Sequence, residues 1–339
     1  MRLSYKIILF VFIAFILGIF AWAIFSPKDD VSTRIYETIK EQQKRADLTF
    51  KEVSFEEVVA GVKYWQLVAQ SAMVNKSTQV ATLNDSRGTF FKKGKAVLRF
   101  ISPAALWDMK KKEIYLDKPI GYDAVLERKI SSLLQSIKKS RYSILNLPRL
   151  YQKGAGYWFQ AKNLSWKLSD QELVCTGGIM LNKGEVTGFA ERFQGDVALE
   201  RVVLEGNPKI VIDIKDSFPI TLEANAFEVI SLENLIIAHD NPVIYWGKAK
   251  IICNNLKYQQ AKETLILAGS VKIDYQDIKA EGDNAEYLTL EEKIILRGNA
   301  HAKQADNQLT GKEVIVSLKD QKISVSGKGR VVITEEELK

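Results

Sequence analysis

Histidine and cysteine, two residue types that often carry catalysis, are scarce in this chain of 339 residues. There are two histidines. His239 adjoins Asp240 in "LIIAHDNPVI", where a strand bends, and His301 falls on the outward face of an alternating run. No HExxH, GxSxG or CxxC pattern or phosphate-cradling glycine loop occurs. Acidic residues gather in short polar turns, where they solvate the chain and form no pair suited to general acid–base work. Cys175 and Cys253 sit in apolar, strand-like runs. Buried free thiols are the preferred reading; a disulfide in an exported protein is the alternative, and sequence does not decide between them. The expectation is a protein that is not an enzyme, with no metal site and no cofactor.

The chemistry that remains is apolar, and it repeats. Gly177 ("ELVCTGGIML"), Gly206 ("RVVLEGNPKI"), Asp240, Gly269, Gly298 and Gly327 occupy equivalent places, at spacings of 29, 34, 29, 29 and 29 residues. "EIYLDKPIGY", around Asp117, is a weaker copy 60 residues before Gly177. Spacing of this kind marks a repeat architecture, and an apolar period of two rather than 3.6 excludes helical solenoids. Residues two and four places either side of the reference point share one face: Leu173, Cys175, Ile179 and Leu181; Leu265, Leu267, Val271 and Ile273; Ile294, Leu296, Ala300 and Ala302. The opposite face carries Lys272, Arg297 and Ser326, the alternation of a half-buried strand. The glycine permits a bulge or bend in mid-strand and leaves space on the inner face.

A polar turn precedes each run, as in Asp170-Gln171-Glu172, Lys262-Glu263, Glu291-Glu292-Lys293 and Lys319-Asp320-Gln321. Each repeat therefore reads as two strands joined by a tight turn, and the sum as an all-β, antiparallel, open, solenoid-like jellyroll. Candidate residues lining its inner groove are Leu173, Ile179, Leu204, Leu265, Leu267, Val271, Ile273, Ile294, Leu296 and Val325.

The first thirty residues differ from the rest. Ile7 to Phe25 is uncharged over 19 residues, as a helix about 28 Å long against a hydrocarbon core of about 30 Å. Arg2 and Lys6 precede it, and Trp22 sits near its end. The positive-inside bias then keeps the N-terminus cytoplasmic and sends the rest across the membrane. A cleaved signal peptide, with Ala21-Trp22-Ala23 as its cleavage site, is the alternative, and a buried core helix a third.

Charge is also local. From Arg128 to Ser169 there is no Asp or Glu but nine Lys and Arg, so with a net charge of +7 the remainder sums to 7 − 9 = −2. Leu126, Ile130, Leu133, Leu134 and Ile137 follow helical spacing. A basic amphipathic helix suits an anionic lipid surface or phosphorylated ligand, with Lys138, Lys139 and Arg141 as head-group candidates. A helical insertion capping a sheet edge accounts for the same pattern. Nucleic acid is not an expected partner on the far side of a membrane.

The anchor, followed by "YWQLVAQSAMVNKSTQVATL" (64–83) and "GKAVLRFISPAALWDMKKKEIYLDKPIGYD" (94–123), resembles the LptC family of lipopolysaccharide-export proteins. The stretch 278–333 is similar to the LptA/OstA bridge domain through Ala280, Ala285, Tyr287, Leu296, Gly298, Leu309, Thr310 and Gly311. The resemblance implies a twisted, OstA-like β-jellyroll whose apolar groove takes lipopolysaccharide acyl chains. It implies an inner-membrane ABC transporter as donor, and an LptA-like periplasmic bridge protein joined by edge-strand pairing. The organisation expected is a cytoplasmic tip and transmembrane anchor (1–27), a linker (28–47), the first part of an LptC-like jellyroll (48–124), a basic helical or irregular insertion (125–156), the jellyroll's continuation (157–215) and LptA/OstA-like repeats (216–339). The chain is longer than a typical LptC, with extra repeats toward its C-terminus. An anchored scaffold that organises protein partners without binding lipid is the rival reading, because a filled core and an open groove need the same apolar alternation.

Overall fold

The computed structural model describes residues 37–38, 47–123, 156–305 and 307–332. The expected anchor, almost all of the linker, and the basic segment with Lys138, Lys139 and Arg141 lie outside the described residues. Among the described residues no helix is long and apolar enough to cross a membrane.

The described chain is one antiparallel ladder. It opens with a meander of long strands, β1 (Leu48–Val59), β2 (Val62–Asn75), β3 (Val80–Lys92) and β4 (Lys95–Asp108). There follow β5 (Glu113–Asp117), β6 (Ile120–Tyr122), β7 (Tyr157–Gln160), β8 (Asn163–Lys167), β9 (Glu172–Lys183), β10 (Val186–Asp196), β11 (Arg201–Glu205), β12 (Lys209–Ile212), β13 (Ile220–Glu223), β14 (Ala226–Ile230), β15 (Leu235–His239) and β16 (Val243–Trp246). The last third comprises β17 (Ala249–Ile252), β18 (Asn255–Gln259), β19 (Thr264–Tyr275), β20 (Ile278–Leu288), β21 (Lys293–Arg297), β22 (His301–Gln304), β23 (Asn307–Ser317) and β24 (Lys322–Val332).

Each rung bends near its middle, so the ladder runs in two tracks. In the first track one half of β4 pairs with β5, then come β8, β9, β10, β11, β14, β15, β18, β19, β20, β21, β23 and β24. In the second the other half of β4 pairs with β6, then come β7, β9, β10, β12, β13, β16, β17, β19, β20, β22, β23 and β24. The tracks pack face to face. Trp65 meets Trp107 at 5.0 Å between ring centroids, Phe90 meets Trp166 at 5.4 Å and Phe159 meets Phe193 at 5.4 Å, each pair drawn from opposite tracks. The result is a trough folded along a spine of bends, with a seam opposite the spine where the strand ends meet.

The bends explain the repeat. Gly177, Gly206, Asp240, Gly269 and Gly298 have left-handed backbone (φ +82°, +79°, +62°, +80° and +72°), and so do their successors Gly178, Asn207, Asn241, Ser270 and Asn299. In β9 and β19 this doublet faces a single residue of the next strand, Glu191 or Asp283, which is a β-bulge. The weaker copy turns at Lys118 (φ +44°), one residue beyond Asp117, and earlier rungs bend at Glu52 and Asp85 (φ +50° and +48°). The intervening strands bend differently: they place two consecutive residues outward, as at Glu191-Arg192 and Asp283-Asn284, so their inner face changes phase by one residue.

Glycine is needed at the left-handed bends for a second reason, which differs from the expectation that it frees space on the inner face. A Cβ on Gly269 would lie 2.8 Å from Asn254 Nδ2 and 2.9 Å from its Cβ, and one on Gly298 would lie 2.9 Å from Asp283 Cβ. Asn254 and Asp283 are exposed residues of the adjacent bend, so the space freed by glycine is filled by the neighbouring strand. The bends are also bonded directly: the Asn254 and Asp283 amides donate to the Gly269 and Gly298 carbonyls at 2.9 and 2.7 Å.

Gly269→Ala is expected to cost about 2–3 kcal/mol in urea unfolding, combining left-handed strain with the clash. Adding Asn254→Gly should recover the steric part only. An unchanged Gly269→Ala midpoint would remove the spine from its structural role.

Candidate functional site

The sequence places its candidate lining residues on one face, and the structure brings them into one interior. Leu173, Ile179, Leu204, Leu265, Leu267, Val271, Ile273, Ile294 and Leu296 are all at most 3% exposed. Val325, on the terminal β24, is half-buried against the same core. That core is continuous from Trp65 to Leu318 and is packed, with Trp65, Trp166, Phe90, Phe100, Phe159, Phe193 and Phe227 among its largest buried side chains. Among the described residues, the interior donors buried without a hydrogen-bond partner include the Trp107 and Trp166 indole N–H groups and the Tyr287 hydroxyl. Each such group costs roughly 1–3 kcal/mol.

The seam was not legible in the sequence. Among the described residues it is crossed by side-chain clasps that join a strand end of one track to a turn of the other. Lys112 reaches Glu57 at 3.4 Å. Lys92 reaches Asp196 at 2.7 Å and Glu200 at 2.8 Å, and these carboxylates raise its pKa. The Lys183 ammonium donates to the Ser231 carbonyl at 3.2 Å and to Asn234 Oδ1 at 3.3 Å. The Ser217 hydroxyl donates to Glu292 Oε1 and accepts from Trp246 Nε1 at 3.2 Å. The Tyr275 hydroxyl donates to the Leu318 carbonyl at 3.0 Å. These partners are separated by tens of residues, and no local pattern couples them.

Beneath the Lys183 clasp, between the tracks, lies a cavity of about 50 Å³. Its apolar lining includes Leu181, Val186, Leu204, Ile210 and Leu235. Elsewhere the residues that raised catalytic chemistry are accounted for. His239 Nδ1 lies 2.6 Å from Asn255 Oδ1 and His301 is exposed. Cys175 and Cys253 are free and buried, and burial pushes the first thiol well above its ordinary range and the second up to about 12. Among the described residues no group of His, Cys, Asp and Glu could hold a metal ion.

Part of the ladder matches a known family. Residues 220–322 match the family described as "LptA/(LptD N-terminal domain) LPS transport protein". Among curated proteins none matches the chain. Among solved structures, the chain is similar to the crystal structure of LptH, the LptA-homologous periplasmic component of the lipopolysaccharide transport device from Pseudomonas aeruginosa. The identity is 17% and the TM-score 0.32, over 35% of this chain and 96% of that one. The LptA-like region, β13 to the start of β24, holds Leu265, Leu267, Val271, Ile273, Ile294 and Leu296 of the candidate lining.

Within that region, Leu267 and Ile266 are neighbours on opposite faces of β19, fully buried and 39% exposed respectively. Leu267→Ala is expected to destabilise by about 2–5 kcal/mol in urea unfolding, and Ile266→Ala by about 1 kcal/mol or less. Equal costs would contradict the assignment of faces.

Proposed function

We propose that this chain is an LptC-like periplasmic protein, anchored in the inner membrane by its N-terminal helix, that receives lipopolysaccharide from an ABC transporter and carries it along the interior between the two tracks. The observation that carries this reading is the unbroken apolar interior, which runs the length of a ladder whose residues 220–322 match a lipopolysaccharide-transport family. The seam supports it, because among the described residues the contacts that join the two tracks there are made by side chains. The partnerless Trp166 and Tyr287 donors support it too, since a core built only for stability gains nothing from them. Hand-over to an LptA-like unit uses the terminal edges: among the described residues β1 pairs only with β2 and β24 only with β23, leaving backbone groups free to extend the sheet. The basic stretch, with Lys138, Lys139 and Arg141, is assigned to anionic head groups.

The filled core favours a second reading, an anchored scaffold that holds protein partners at its edges and binds no lipid. A photo-crosslinking residue at Leu267 separates the two, with the exposed Lys272 as outward control, in cells making lipopolysaccharide. ATP-dependent lipid adducts at Leu267 and not at Lys272 are expected. A folded protein with no adduct there, or at Leu204 and Leu296, would overturn the lipid path and leave the scaffold. At Ser324, exposed on the free edge strand, the expected adduct is protein rather than lipid.

A further inference from the structure

The Lys183 clasp differs from the other charged clasps across the seam. Lys92 and Lys112 each face carboxylates, whereas both partners of Lys183 are neutral acceptors. Its ammonium is half-buried, burial lowers its pKa, and among the described residues neither of its hydrogen-bond partners carries a counter-charge. A cation removed from water without a counter-charge is costly, and the cost is relieved by an anion that reaches it. The hairpin that carries Lys183 is braced: Asn182 Nδ2 donates to the Gly184 and Val186 carbonyls at 3.4 and 3.2 Å and to Thr187 Oγ1 at 3.0 Å. The ammonium is therefore held at the seam by the fold.

What lies beneath it gives the ligand its second property. The cavity is lined from both tracks, by Leu181, Val186 and Ile210 on one side and Leu204, Val229 and Leu235 on the other, and among the described lining residues none is acidic. At about 50 Å³ it is too small to hold a chain as it stands. A ligand must part the tracks, which means displacing Lys183 from Ser231 and Asn234.

Resting on the lipid-carrier reading, we infer that Lys183 marks an admission point for anionic amphiphiles: an acyl chain parts the seam over this cavity while its carboxylate or phosphate takes the ammonium from its two neutral acceptors. The clasp closes the site when empty and binds the head group when filled, so one side chain serves as latch and as ligand contact.

The test uses the full chain in discs of zwitterionic lipid, with a photoreactive fatty acid bearing its reactive group at the chain end and the matching fatty alcohol as uncharged control. Adducts are mapped by mass spectrometry. Wild type is expected to be labelled within 181–188, 199–210 and 229–236, with the acid favoured over the alcohol by roughly tenfold, the worth of one charge-assisted contact. Lys183→Met should abolish that preference while keeping alcohol labelling, and Lys183→Arg should restore it, with thermal melts showing all three folded. Acid labelling along the interior that spares these three segments, or an acid preference unchanged in Lys183→Met, would overturn this site and leave the carrier reading standing. No labelling anywhere would remove the carrier reading and this site with it.

Discussion

The structure depends on the way its rungs bend. An extended strand cannot fold back over its own inner face without a break in regular geometry, and here the break is a left-handed doublet on one strand lodged against an ordinary bend on the next. Gly269 against Asn254 and Gly298 against Asp283 are the repeating unit. Because a left-handed residue other than Gly, Asn or Asp is strained, the spine restricts composition along one line of the molecule and leaves the tracks free to vary. The tracks, the interior and the seam follow once that line is fixed. Two strand halves joined at an angle bury their inner faces against each other, and among the described residues their far ends meet through side-chain contacts.

That hierarchy explains what could be read from the sequence. The spacing of Gly177, Gly206, Asp240, Gly269 and Gly298 is legible because the same backbone requirement recurs at the same place in every second rung. The inner faces of β19 and β21 are legible because alternation of period two survives the bend on the glycine-bearing strands. It is hidden on the strands between. In β20 the inner residues run Ile278, Ala280, Gly282 and then Ala285, Tyr287, so a strict period of two loses its phase at Asp283-Asn284. The bends at Glu52, Asp85 and Lys118 are hidden for another reason: they use non-glycine residues in left-handed geometry, and each has only one such residue instead of two. The Gly/Asn/Asn/Ser/Asn set that follows the reference point was a signal available in the sequence, since these small or amide residues suit a second left-handed position.

The seam is the part no sequence pattern could supply, because its contacts depend on how far the tracks twist past each other. Lys92 meets Asp196 and Glu200, and Tyr275 meets the Leu318 carbonyl, pairings set by the accumulated rotation of the ladder. They also differ in kind from what holds the rest together. The spine and the rungs are backbone hydrogen bonds in series, whereas exposed ion pairs such as Lys92–Glu200 are each worth about 1 kcal/mol or less. The molecule thus has a strong side and a weak side, and any separation of the tracks that keeps the strands paired must begin at the weak one.

On the lipid-carrier reading proposed above, this asymmetry reconciles a filled core with a lipid path. The interior is apolar track against apolar track, and burial of that kind is non-directional, scaling with area removed from water at about 25 cal/mol per Å². An acyl chain sliding between the tracks exchanges Leu267-type contacts across the interior for equivalent contacts with methylenes, so the area withheld from water need not fall. The rungs keep their hydrogen bonds, because the opening runs between tracks and not along a strand pair. What is lost is confined to the clasps and to aromatic contacts such as Phe90–Trp166, which can re-form behind the chain. On the proposed lipid-carrier reading, a packed interior is the resting form of the conduit, and the seam is the side on which it parts.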